Sequence, residues 1–104
     1  METLENNKLI AQFMGNVTND GRYFYPSSDY YFEASELEYH FSWNWLMPVV
    51  RQCFNSDIEI NDNTIGNITH ALLDVDIENT YKAVIEFIKL YNENEDNKKL
   101  LKAL

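Results

Sequence analysis

A chain of 104 residues that is 45% hydrophobic and 14% aromatic holds enough apolar side chain for one core and not two. Its single cysteine excludes an internal disulfide framework and points to a reducing, cytoplasmic setting. The net charge is −9, and residues 23–81 carry ten acids against Arg51 alone, so direct nucleic-acid binding, which needs clustered Lys and Arg, is not expected. No leader-like segment and no apolar run of about 18 residues is present, so no membrane is expected as a partner either. An acidic surface of this kind is suited to a basic protein surface.

Residues 4–14 read as a first helix, with Leu9, Ile10, Phe13 and Met14 on one face and Glu5, Lys8 and Gln12 on the other. Thr3 is placed to cap its start, and Gly15-Asn16 to stop it. Asn19-Asp20-Gly21 is a turn signal between two extended pieces, 16–18 and 22–25, that can pair as a hairpin. Six aromatic residues then fall within 23–32.

Ser35-Glu36-Leu37-Glu38 matches a capping box, which predicts a short helix from Glu36 to about Phe41. Ser42 then caps a central helix running to about Phe54 that holds both tryptophans. At roughly 100° per residue, Trp43, Met47, Val50 and Phe54 lie within about 60° of one another. Leu46, Cys53, Val49 and Trp45 widen the apolar arc to roughly 200°. That arrangement predicts Trp43 on the core face, Trp45 at its far margin and Cys53 as a buried core residue. Pro48 cannot donate to the Asn44 carbonyl and predicts a kink or a restart.

Asp57 to Ile60 alternates as a strand, 61–63 is a loop, and Asn67 caps a short helix over 68–73. Asp76 caps a last long helix from Ile77 to about Asn92, whose stripe Ile77, Tyr81, Val84, Ile88 and Tyr91 opposes Glu78, Lys82, Glu86 and Lys89. Residues 93–97 read as a solvated break. Residues 98–104 then form a short basic amphipathic segment that docks on the domain or on a partner. The sum is a compact α+β single domain over residues 1–104. Three to five helices surround the central Trp-rich helix, beside a small antiparallel sheet of two to three short strands.

The residues carry no enzyme constellation. His40 and His70 are the only histidines, neither stands at metal-ligand spacing from Cys53, and His40 reads as a hydrogen-bonded structural residue. Asp57, Glu59, Asn61 and Asn63 imitate the start of a calcium loop, but Asp62 stands where glycine is required and Ile68 where glutamate is. No catalytic residue, metal or cofactor is therefore expected. The functional candidates are partner-binding residues of the aromatic, acidic segment: Tyr23, Tyr25, Asp29, Tyr30, Tyr31 and Glu33. Rigid rings rimmed by carboxylates are the composition of a protein-binding surface. Burial of half the rings by strand alternation is the competing account.

Three segments carry a resemblance: Leu9 to Gly15, Tyr39 to Val50, and Asp76 to Asn92. Together they resemble a group of small proteins encoded by phages and prophages of Bacteroidota-type bacteria. The likeness departs in 22–32, in 55–67 and in the tail, and it brings no catalytic residues with it. It implies a common fold and a host-cell cytoplasmic setting. It also implies the kind of phage protein that blocks host defence by binding, an anti-CRISPR inhibitor, with an RNA-targeting Cas13b effector nuclease as the sharpest candidate partner. The alternative it leaves open is a phage structural or accessory domain acting as a homo-oligomer.

Overall fold

The computed structural model describes residues 2–25, 29–56 and 64–103, with side chains to residue 97. Its elements are α1 (Glu2–Met14), β1 (Tyr23–Phe24), β2 (Tyr31–Phe32), a single 3-10 turn (Ala34–Glu36), α2 (Trp43–Ser56), α3 (Thr64–Leu73) and α4 (Ile77–Ala103). Among the described residues, four helices and a two-stranded antiparallel sheet make an α+β domain. The strand expected over 57–60 and the loop after it lie outside the described residues.

α4 is the spine. Its 27 residues span roughly 40 Å, the longest dimension of the molecule at 41 Å. It buries Thr80, Tyr81, Ala83, Val84, Ile85, Phe87 and Ile88 against the other three helices. The expected break at 93–97 is absent. Glu, Asn and Asp there are polar but include no Gly or Pro, so nothing interrupts the helical hydrogen bonds. α1 runs beside α4 in the same direction, with Thr3 at Tyr81 and Phe13 edge-on to Phe87 and Tyr91.

Where α1 meets α4, a polar cluster crosses the core. Buried Asn7 donates to the Leu37 carbonyl (3.2 Å) and to His40 Nδ1 (3.0 Å), and it accepts from the Tyr81 hydroxyl (2.9 Å). Each polar atom of the amide thus has a partner, which the burial requires. His40 is the hydrogen-bonded residue its sequence setting suggested.

α1 and α3 end in the same way. Asn16 N–H reaches the Ala11 carbonyl and Gly15 N–H the Gln12 carbonyl; Asp76 N–H reaches Ala71 and Val75 N–H reaches Leu72. Both are Schellman endings with one left-handed residue. At α1 that residue is Gly15 (φ 71°), and at α3 it is Val75 (φ 54°), where a β-branched side chain costs on the order of 1–2 kcal/mol. Asp76 then caps α4, its carboxylate accepting from Asn79 N–H at 3.0 Å.

Three further local expectations are corrected. α1 starts at Glu2, which places Thr3 inside it. The helix expected over 36–41 is one 3-10 turn. Glu33 starts it, its N–H held by Glu36 Oε1 at 2.8 Å, and Leu37 is already extended (φ −68°, ψ 136°). Leu37 and Tyr39 are both buried, a two-residue spacing that extended backbone satisfies and a helix does not. α3 starts at Thr64 and not after Asn67.

The largest correction concerns α2. Its buried residues are Trp45, Leu46, Val49, Val50, Cys53 and Ser56, while Trp43 is half-buried and Met47 and Phe54 are 44% and 41% exposed. The helix is rotated so that Trp45 is buried in the core, while Trp43 packs against its margin. Tyr25, Phe32 and Tyr39 supply the reason, because all three rings close on Trp45 at 4.6, 5.5 and 5.1 Å. Pro48 lies inside an unbroken helix. Burial keeps the Cys53 thiol protonated, its pKa pushed up to about 12.

Candidate functional site

The aromatic segment folds as an arm against α2. The Asn19-Asp20-Gly21 turn closes with Gly21 N–H on the Thr18 carbonyl, and Gly21 takes the positive φ (84°) that the reversal needs. Thr18 N–H donates to the Arg22 carbonyl (2.8 Å), Phe24 N–H donates to the Asn16 carbonyl (3.1 Å), and Val17 bridges to Tyr23. On its other side β1 pairs with β2, Tyr23 opposite Phe32 and Phe24 opposite Tyr31. The expected hairpin forms, and β2 adds a further extended piece to it.

Alternation then sorts the side chains. Tyr23, Tyr25 and Phe32 share the inner face and pack against the core. Arg22, Phe24 and Tyr31 share the outer face, where the Arg22 guanidinium lies 4.2 Å from the Tyr31 ring centroid. Asp20 holds that guanidinium at 2.9 Å and also accepts from the Thr18 hydroxyl. Hydrogen bonds from Thr18 and then Arg22 lower the Asp20 carboxyl below its usual range.

The six candidate residues therefore divide. Tyr23 and Tyr25 belong to the core side, and Tyr25 donates its hydroxyl to the Asn44 carbonyl at 3.2 Å. Tyr30 and Tyr31 face solvent, 76% and 54% exposed, with Asp29 and Glu33 exposed on either side of them. Two neighbouring exposed rings cost hydration that a partner surface would recover. Sequence reasoning misses Arg22 and Asp20 as members of this surface. Their signal is parity, since Arg22 falls on the same face as Phe24 and hence as Tyr31.

Among the described residues, concavities flank α3 on two sides. Between α3 and α4, Asn67, His70, Asp74, Lys82 and Glu86 line a cleft of about 290 Å³. His70 Nε2 lies 3.7 Å from Asp74, but both side chains are exposed, so water screens the pair. Along the outer flank of α2, Met47, Pro48, Arg51 and Phe54 with Leu72 of α3 line a groove of about 390 Å³. Among the described residues no group of three or more His, Cys, Asp or Glu side chains is placed to hold a metal ion, and no helix is long and apolar enough to cross a membrane. Compared with known proteins, the chain matches no family model, no curated protein and no solved structure.

Proposed function

We propose that this chain is a non-enzymatic binding protein that inhibits a host defence nuclease through its acidic, tyrosine-bearing edge. In its sharpest form it is a phage anti-CRISPR protein acting in the host cytoplasm on an RNA-targeting Cas13b effector. One observation carries the reading: Tyr30 and Tyr31, consecutive in the chain between Asp29 and Glu33, are both exposed, in a chain of net charge −9. Rings of this kind give contact area at low entropic cost, and the carboxylates favour a basic partner.

The test is binding of the purified chain to a purified Cas13b effector at about 50 mM and about 500 mM salt, ionic strengths that bracket strong and weak screening. A complex that forms at low salt, weakens at high salt, suppresses RNA cleavage and is lost on charge reversal (Asp29→Lys with Glu33→Lys) is the expected result. Absence of binding to candidate effectors at low salt, together with an empty capture from host lysate, would sink the proposal.

A second reading, a self-associating phage accessory domain, is favoured by a different observation, the exposed Met47 and Phe54 flank of α2. Light scattering separates the two readings: a stable dimer lost on Phe54→Glu supports the second.

A further inference from the structure

We infer that Pro48, although it lies on α2, is a positioning residue for the exposed tyrosine edge, acting through Tyr25. In an α-helix the N–H of residue 48 would bond to the carbonyl of residue 44. Proline has no N–H, and its ring crowds that same carbonyl, turning it away from the helix axis. α2 nevertheless runs from Trp43 to Ser56 without a break. The carbonyl that Pro48 leaves without its helical donor has found another, since the Tyr25 hydroxyl donates to Asn44 O at 3.2 Å. The ring of Tyr25 meanwhile lies against Trp45, centroids 4.6 Å apart and planes 31° from parallel. Tyr25 is thus held at both ends of its side chain by the same turn of α2.

The consequence passes outward through the arm. Tyr25 directly follows β1, β1 pairs with β2, and β2 begins at Tyr31. The orientation of the exposed Tyr30 and Tyr31 therefore depends on an acceptor that lacks its helical donor because residue 48 is proline. The same geometry explains an apparent conflict in the sequence, a helix breaker inside the helix that carries both tryptophans. A residue with an N–H at position 48 would close the bond to Asn44 and compete for the carbonyl that Tyr25 now uses. Pro48→Ala should accordingly favour α2, alanine being the best helix former, and at the same time loosen the arm. A residue serving only general stability would move both in one direction.

The bonds of Arg22 and Phe24 to the 16–18 segment turn the Tyr23 and Phe32 backbones toward each other, so their amides report on the arm. The experiment is native-state hydrogen exchange at these two amides in Pro48→Ala, in Tyr25→Phe (which keeps the ring) and in the double variant. We expect exchange about fivefold faster than wild type in all three, the ratio one hydrogen bond of ordinary net strength carries. The double variant should be no faster than either single one, and the amides of α2 in Pro48→Ala should exchange no faster than wild type. Wild-type exchange of the arm in Pro48→Ala overturns the inference, and so does further acceleration when Tyr25→Phe is added to Pro48→Ala.

The link to binding rests on the function proposed above. With the Cas13b effector as probe, the three variants should share one affinity, about fivefold weaker than wild type. If the effector fails to bind the wild-type chain, that function falls, while the exchange measurements still decide the role of Pro48.

Discussion

Tyr25 and Tyr39 close on Trp45 from two sides, whereas Tyr30 and Tyr31, a few residues along from Tyr25, stand in solvent. The difference does not lie in the residue type. Each inner phenol has a ring neighbour and a polar partner, Asn44 O for Tyr25 and the Asn16 amide for Tyr39. Tyr81 on α4 is held in the same manner by Asn7. The outer pair has an arginine over one ring and carboxylates on its flanks. An amphipathic ring serves as scaffold where its hydroxyl finds a protein partner and its face finds another ring. It serves as surface where most of the ring is left in water, as at Tyr30 and Tyr31. One short arm supplies both kinds because alternation turns Tyr31 out where Phe32 faces in, while Tyr30 sits in the exposed bend before β2.

The contrast can be broken most strongly at its centre. Trp45→Ala removes the ring on which Tyr25, Phe32 and Tyr39 converge and should cost about 3–5 kcal/mol in urea denaturation. A loss below about 1 kcal/mol, the level of an ordinary surface change, would mean that the inner rings are not the scaffold.

Alkaline titration tests the buried class from another side. Burial pushes the Tyr81 phenol up to about 12, whereas an unfolded tyrosine ionises near 10. The folded state keeps a proton that the unfolded chain gives up, so this contribution is whole below about pH 10 and is lost as pH rises through about 12. Thermal melts across that window should show a decline that Tyr81→Phe flattens.

The outer pair should respond in the opposite sense. Tyr30→Ala and Tyr31→Ala should each change stability by less than about 1 kcal/mol, yet lower partner affinity about tenfold or more. Paired denaturation and calorimetry give both numbers, and a stability loss approaching that of Trp45→Ala would erase the distinction. Arg22→Ala should have the smallest effect, leaving the denaturation midpoint where it was, because its ion pair with Asp20 is exposed.

Much of this is legible in the sequence. Gly15 as a stop, Asn19-Asp20-Gly21 as a turn, Asp76 as a cap and the α4 stripe are local signals, and local hydrogen bonds carry them out. The rotation of α2 is not legible. An apolar arc of roughly 200° is wider than the roughly 140° that is buried, so several orientations satisfy the pattern equally. The choice is made by rings 6 to 20 positions earlier in the chain, converging on Trp45. The division of the six candidate residues is illegible for a related reason. Their composition fits a binding surface, but which rings face out depends on where the two-residue strands pair. At 93–97, polarity alone suggests a break, although only Gly or Pro would supply one.

The contacts of Tyr81 also bear on how the chain is assembled. Its hydroxyl meets Asn7 and the Thr3 carbonyl across 74 and 78 positions of sequence, whereas α3 and α4 meet through a turn of three residues. Local pairing forms quickly and long loops close late. During synthesis α1 is made before α4, so Phe13 meets its ring partners Phe87 and Tyr91 only once α4 has followed. α1 therefore completes its packing only after α4 is made, and until then the net charge of −9 favours keeping copies of the chain apart.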